Sequence, residues 1–296
     1  MAESKTSFQL FLEGEVNRYK GVYVPVKTAF LKRAFVRELP VKKLHPNPED
    51  EFCDPQIGPN DEIVSRYQHE IWVAKKQRRI REIEEDLIVE RIRPDGYILL
   101  NGHHRWAAAK RMGLRRVPVR IVNLTHSSDI KKMLKNAKHD KRVALDLDEV
   151  VFASGQDTAM EKALPFPANR VYKERLRYGV PALIRYFKTN GYDVWVYTAK
   201  YYSMEYIQHL FKWYGVRIDN IVTGTSRKGK ADAEERKRLE TLVTRKYPQM
   251  IHLDANSLVR IDRGTKSFEE FALSGNPRTW SQEIMEIVGG AEKHEG

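Results

Sequence analysis

From residue 142 onward the sequence carries four short apolar runs, each with a polar side chain at or just past its end, separated by three segments with helical spacing. The apolar runs are VALDLDEV, YDVWVYTA, IDNIVTG and MIHLD, and the helical segments are 172–189, 203–214 and 232–247. Strands that alternate with helices predict a parallel sheet with helices on both faces, because parallel neighbours need a long crossover. In such sheets functional groups collect outside the carboxyl ends of the strands. The four runs end at Asp146 and Asp148, at Thr198, ahead of Lys228 and Lys230, and at Asp254. Asp146 and Asp148 are two apart and share one face of a strand. Like charges held together are costly unless a cation or a transferable phosphoryl group answers them. The set reads as phosphoryl-transfer chemistry. Asp146 is the candidate nucleophile, and Asp148 the acid that protonates the leaving oxygen and later the base that activates water. Mg²⁺ is expected on Asp146, Asp254 and the backbone carbonyl of Asp148. Thr198 with Lys230, or alternatively Lys228, would steady the phosphoryl oxygens. The plainer alternative is that these acids cap helices and turns on an inactive scaffold.

Four motifs, DLDEVVFASG, VYTAK, SRKGK and HLDANS, in that order over about 142–275, resemble the haloacid dehalogenase (HAD) superfamily. The resemblance implies a Rossmann-like parallel sheet and a Mg²⁺-dependent phosphatase that passes through an aspartyl-phosphate on Asp146. Many members carry a second acid beside the last aspartate, whereas here the neighbours are Ala255 and Asn256. The segment after the first strand, ASGQDTAMEKALPFPANRVYKE, leaves room for a minimal cap alone.

The first half carries a different signal, LLNGHHRWAAAKRMG at 99–113. Gly102 permits close backbone approach, and an alanine-rich helix is expected from about Arg105 to Met112, so free N–H groups can face an anion there. Arg105 offers a planar fork for phosphate oxygens, and His103 or His104 a hydrogen bond. Metal binding fits poorly, because zinc needs three or four ligands and adjacent histidines on a regular element point apart. A tight turn with exposed histidines stays open on spacing alone. The run LPVKKLHPNPED followed by DGYILLNGHHRWAAAKRMGLRRVPVRIV, about 36–124, resembles the ParB/sulfiredoxin superfamily. That resemblance implies an α+β domain with a nucleotide phosphate (ATP, ADP or CTP) seated on Gly102, His103, His104 and Arg105. Sulfiredoxins carry a cysteine inside this turn; position 103 is histidine, which argues against sulfinic acid reduction. Glu49, Asp50 and Glu51 lie where kinase members place a base.

The reading therefore divides the 296 residues into an extension (1–35), a ParB-like domain (36–124), a connector (125–141) and a HAD-like domain (142–290). Of the net charge of +12, nine units fall in residues 1–141, which suits an acidic partner such as nucleic acid as well as a nucleotide. The single cysteine, Cys53, excludes an internal disulfide and a cysteine-rich zinc site. No run is long and apolar enough for a membrane span, and the N-terminus lacks signal-peptide features, so a cytoplasmic location is expected. The leading expectation is a bifunctional phosphoryl-transfer protein that takes a nucleotide and a phosphorylated substrate. A nucleic-acid end-processing phosphatase or nuclease, and a non-catalytic nucleotide sensor, are its alternatives.

Overall fold

The computed structural model describes residues 6–76, 85–152, 159–225 and 230–293. The chain divides into two units, Met1–Asn123 and Leu124–Gly296. Among the described residues, no helix is long and apolar enough to cross a membrane.

The first unit opens with helix α1 (Ser7–Tyr19). Thr6 and Gln9 close a capping box: the Thr6 hydroxyl accepts from the Gln9 N–H and the Gln9 side chain accepts from the Thr6 N–H. The later elements are β1 (Val24–Pro25), α2 (Phe30–Phe35), β2 (Glu38–Pro40), β3 (Leu44–His45), α3 (Asp61–Lys76), β4 (Leu87–Arg93), β5 (Tyr97–Asn101), α4 (His103–Arg111) and β6 (Arg116–Val122). The sheet order is β2-β6-β4-β5-β3, with β1 also on β4. The β4–β5 hairpin is antiparallel, whereas β6 on β4 and β3 on β5 run parallel. The three alanines of α4 and Trp106 are buried beneath it.

Residues 1–35, expected as an extension, carry α1, β1 and α2. Leu12 and Tyr19 of α1 are buried, and the rings of Phe8 and Phe11 each stand 6.2 Å from Trp106. One apolar stripe on α1 therefore completes the core over α4. α3 is described as far as Lys76, and residues 77–84 lie outside the described residues.

The second unit contains α5 (Ser127–Asn136), β7 (Lys141–Asp146), a π-helical turn (Leu147–Val151), α6 (Ala168–Val171), α7 (Val180–Thr189), β8 (Tyr192–Thr198), α8 (Met204–Trp213) and β9 (Asn220–Thr223). It ends with α9 (Lys230–Lys246), β10 (Gln249–Leu253), β11 (Ser257–Asp262), β12 (Ser267–Ala272) and α10 (Trp280–Lys293). The strand order is β12-β11-β10-β7-β8-β9, with β10, β7, β8 and β9 parallel. On one face Val143 and Leu145 of β7 pack with Leu183 and Phe187 of α7, Leu210 of α8 and Ile284 of α10. On the other, Trp195 and Met250 meet Val243 of α9, with Ile130 and Met133 of α5 alongside.

The connector at 125–141, expected to be partly helical, carries α5, which packs against α9 with the Lys131 ammonium 3.0 Å from Glu235. Two particulars differ from the sequence reading. The helix expected from Tyr172 starts instead at Val180, because Gly179 takes φ +87 there and its place is closed by Ser281, whose Oγ would lie 2.2 Å from a Cβ. The parallel sheet also gains an antiparallel edge, β11 and β12.

Phe187 is fully buried in this core, with its ring 5.4 Å from Tyr192. Phe187→Ala is expected to cost about 3–5 kcal/mol, read by chemical denaturation of the full chain. A loss near zero would contradict this packing of α7.

Candidate functional site

Parallel pairing decides which side chains meet in the second unit. Leu253 of β10 sits opposite Leu145 of β7, and Asp146 opposite Tyr197 of β8. Asp146, Thr198 and Asp254 therefore leave the sheet on one edge, at the carboxyl ends of three adjacent strands. Asp146 Oδ1 accepts the N–H groups of Asp148 and Glu149, at 2.7 and 2.8 Å. These bonds hold the carboxylate as the N-cap of the π-helical turn. Its other oxygen takes no hydrogen bond among the described residues.

Asp148 is held from two sides. The buried Thr198 hydroxyl donates to Asp148 Oδ2 at 2.8 Å, and the Lys200 ammonium stands 3.1 Å from Oδ1. Thr198 Oγ1 also accepts the Lys200 N–H at 3.0 Å, which ties the three residues into one network. Lys200 closes the motif VYTAK, yet spacing alone pointed to later lysines. Of those, Lys228 lies outside the described residues, and Lys230 is the first residue of α9.

Glu149 is the other residue the sequence reading passed over. Its carboxyl is raised above the usual range, first by a hydrogen bond with Asp254 and then by the charges of Asp146, Asp254 and Asp148. The turn after β7 thus brings a second acid to Asp254, although Ala255 and Asn256 bring none. Among the described residues, no three His, Cys, Asp or Glu side chains are grouped to hold a metal. The Mg²⁺ ligands expected from the sequence are the Asp146 and Asp254 carboxylates and the Asp148 backbone carbonyl, and the Asp148 side chain is committed to Thr198 and Lys200. The remaining donors are hard oxygens on Asp146, Asp254 and Glu149. Such a set suits Mg²⁺, which keeps several waters and takes one or two carboxylates. The raised Glu149 carboxyl beside Asp254 marks where positive charge is wanted.

In the first unit Gly102 is the N-cap of α4, with φ +92. A Cβ there would stand 2.5 Å from Leu87 Cδ2, so backbone conformation and space both require glycine. The helix begins at His103, not near Arg105, and both histidines belong to its first turn. Among them His103 is buried, and its Nε2 accepts the Asn47 N–H at 3.2 Å while Nδ1 faces Asp50 at 3.6 Å. His104 Nε2 accepts the Asn60 N–H at 3.2 Å, and the Phe52 ring packs against both imidazoles. Burial lowers both histidine pKa values, to about 4 for His103. The expected pair of imidazole donors is thus a pair of neutral acceptors that pins the loops at Asn47 and Asn60. Asp50, alone of Glu49, Asp50 and Glu51, faces His103.

Arg105 also differs from the open fork expected. It is buried, donates to the Glu85 carbonyl and to Glu85 Oε2 at 3.0 Å, and lies over the Tyr67 ring. Its partner carboxylate is 75% exposed, so this ion pair can be exchanged for another anion. The first-turn N–H groups of α4 have no acceptor within the helix and point out past Gly102.

His103 has a depressed pKa in the folded chain, about 4 against an ordinary 6.5. The unfolded chain therefore takes the proton first on acidification. Stability is complete above pH 6.5 and falls as pH drops towards 4, by up to about 3 kcal/mol. In His103→Gln, which keeps an acceptor and cannot titrate, thermal midpoints measured from pH 7 to 4.5 are expected to fall less steeply. An unchanged slope would contradict the burial of a neutral His103.

Residues 27–137 match the ParB N-terminal domain family, and that match runs past the first unit into α5. No curated protein matches the sequence. Among solved structures, the chain is similar to the C-terminally truncated chromosome-partitioning protein ParB from Caulobacter crescentus complexed with CTP-γ-S. Identity is 25% and the TM-score 0.23, over 35% of this chain and 55% of that one. The same protein complexed to the centromeric parS site is 24% identical with a TM-score of 0.23, over 34% and 48%. A free serine kinase mutant in complex with AMP is 11% identical with a TM-score of 0.23, over 84% and 95%. The chain spans about half the length of the ParB structures it matches. Residues 27–137 therefore form a ParB N-terminal domain.

Proposed function

We propose that the protein is a two-unit phosphoryl-transfer enzyme, with a nucleotide-binding first unit and a phosphoric ester hydrolase of HAD type in the second. The observation that carries the hydrolase is the network of Asp146, Asp148, Thr198 and Lys200 on one edge of a parallel sheet.

The chemistry follows from what each oxygen can do. Asp146 is aimed by two backbone N–H groups on Oδ1, so its other oxygen is the nucleophile. It attacks phosphorus, the bond to the substrate oxygen breaks, and Asp148 protonates that oxygen as it leaves. Asp148 then takes a proton from water, which cleaves the aspartyl-phosphate to release phosphate and restore Asp146. Thr198 and Lys200 position Asp148, and Lys200 adds positive charge beside the phosphoryl oxygens. Asp146, Asp254 and the Asp148 carbonyl would hold Mg²⁺, which would neutralise phosphate charge when bound.

In the first unit the first-turn N–H groups of α4 behind Gly102 are the phosphate seat. The ParB N-terminal domain match and the exchangeable Arg105–Glu85 pair support this reading. Nucleotide phosphate replaces the Glu85 carboxylate on Arg105, one anion for another.

Two experiments test the halves separately. Asp146→Asn keeps an acceptor oxygen for the cap and loses the nucleophile. Its Mg²⁺-dependent hydrolysis of p-nitrophenyl phosphate is expected to fall by about a thousandfold or more, with the thermal midpoint preserved. Unchanged turnover would remove Asp146 from its role.

For the first unit, thermal shifts with ATP, ADP and CTP should move in opposite directions in two variants. Glu85→Gln frees Arg105 and is expected to strengthen the preferred nucleotide. Arg105→Ala is expected to weaken it by about tenfold or more. Equal shifts in both variants and the wild type would exclude Arg105 as the phosphate contact.

A further inference from the structure

A cavity of about 630 Å³ lies in the second unit between the sheet and α9, on the face opposite the α7–α8 core. It opens to solvent, and no residue of the acid cluster lines it. Its walls are Trp195, Val222, Met250, Leu239 and Val243, a mostly apolar and partly aromatic lining. The cavity exists because α9 is poor in apolar residues. Among its described side chains α9 turns Leu239 and Val243 to the sheet.

Arg142 is set into this lining. It stands on β7, is 5% exposed, and has no carboxylate within ion-pair distance among the described residues. One guanidinium nitrogen donates to the Tyr197 hydroxyl at 2.9 Å, and another faces Met250 Sδ at 3.4 Å and His252 Nε2 at 3.5 Å. Its Nε has no partner. The guanidinium carbon lies 5.7 Å from the Trp195 ring and 5.8 Å from the Tyr247 ring. A buried arginine is ordinarily matched by an anion, because the desolvated charge is otherwise uncompensated. His252 adds no charge near neutral pH, since burial and the Arg142 charge push its pKa to about 4. Glu240 lines the cavity from the exposed side of α9 and forms no ion pair with Arg142.

These features define a ligand class. The cavity volume lies within the usual range for small-molecule sites, which are apolar with a few placed polar groups. The single buried charge matches a single negative charge. A planar fork with a free Nε matches the two oxygens of a carboxylate. The aromatic walls match an apolar body. We propose that this cavity binds a small organic monocarboxylate, its carboxylate on Arg142 and its apolar part against Trp195 and Met250. The site is separate from the phosphatase residues and does not depend on that reading.

The test uses the full chain and two matched probes, 4-(trifluoromethyl)benzoate and its neutral amide, followed by fluorine NMR. The benzoate is expected to bind at least tenfold more tightly than the amide. Arg142→Met should abolish that preference, and Thr244→Trp, which fills the cavity from α9, should weaken both probes. Circular dichroism establishes that each variant folds, and Thr244→Trp decides the matter if Arg142→Met does not. Equal affinity for acid and amide, absence of binding at millimolar probe, or benzoate binding unchanged in the folded variants would each overturn the proposal.

Discussion

Strand β7 is the constraint on which the second unit depends. It lies between β8 and β10 with parallel pairing on both sides, so both its edges are hydrogen-bonded. Val143 and Leu145 point to one face and are buried there, while Arg142 and Ala144 point to the other. The next residue in that alternation, Asp146, falls at the strand end. There the chain leaves the sheet and turns back on its own N–H groups, at Asp148 and Glu149. One strand of six residues thus anchors the core, carries the proposed nucleophile and sets an arginine under the opposite layer.

The same logic explains why the edge acids tolerate each other. Asp148 is answered by Thr198 and Lys200, Asp146 by two backbone donors, and Glu149 by a carboxyl raised above its usual range beside Asp254. Each carboxyl has its own remedy for repulsion, and the remedies differ in what they leave available. Asp148 is held between a hydroxyl and an ammonium, an environment suited to passing a proton. Asp146 keeps one oxygen unengaged, an environment suited to attack. The assignment of roles to two aspartates two residues apart rests on this difference in partners, which the motif alone does not contain.

Periodicity exposed the parallel strands, and strand-end polarity exposed Asp146, Asp148, Thr198 and Asp254, because both signals are local. The residues it missed depend on contacts across the chain or on polar elements. Lys200 and Glu149 adjoin motif residues, but their partners lie 52 and 105 positions away, at Asp148 and Asp254, only when the strands are aligned. β11 and β12 read as SLVRID and SFEEFA, with an edge too polar to stand out as core strands. α1 was passed over because its apolar residues are spread along a polar helix, and their destination, Trp106, lies far along the chain. In GHHRWAAAKRMG the need for glycine was legible. The partners of the histidines and the arginine, at Asn47, Asn60 and Glu85, were not.

Arg105 and Arg142 set out the two states in which a buried arginine can persist. Arg105 has an anion of its own, on a carboxylate that is itself largely exposed. Exchanging that anion for a phosphate keeps Arg105 paired with an anion, and the released Glu85 returns to water at little cost. Arg142 has two ring faces, a phenol, a thioether and a neutral imidazole, and among the described residues no anion. Ring faces offset part of the desolvation of a cation and do not neutralise it. An incoming carboxylate there displaces no competing anion. The first arginine is therefore suited to exchange and the second to capture, and that contrast separates the proposed phosphate seat from the proposed carboxylate site.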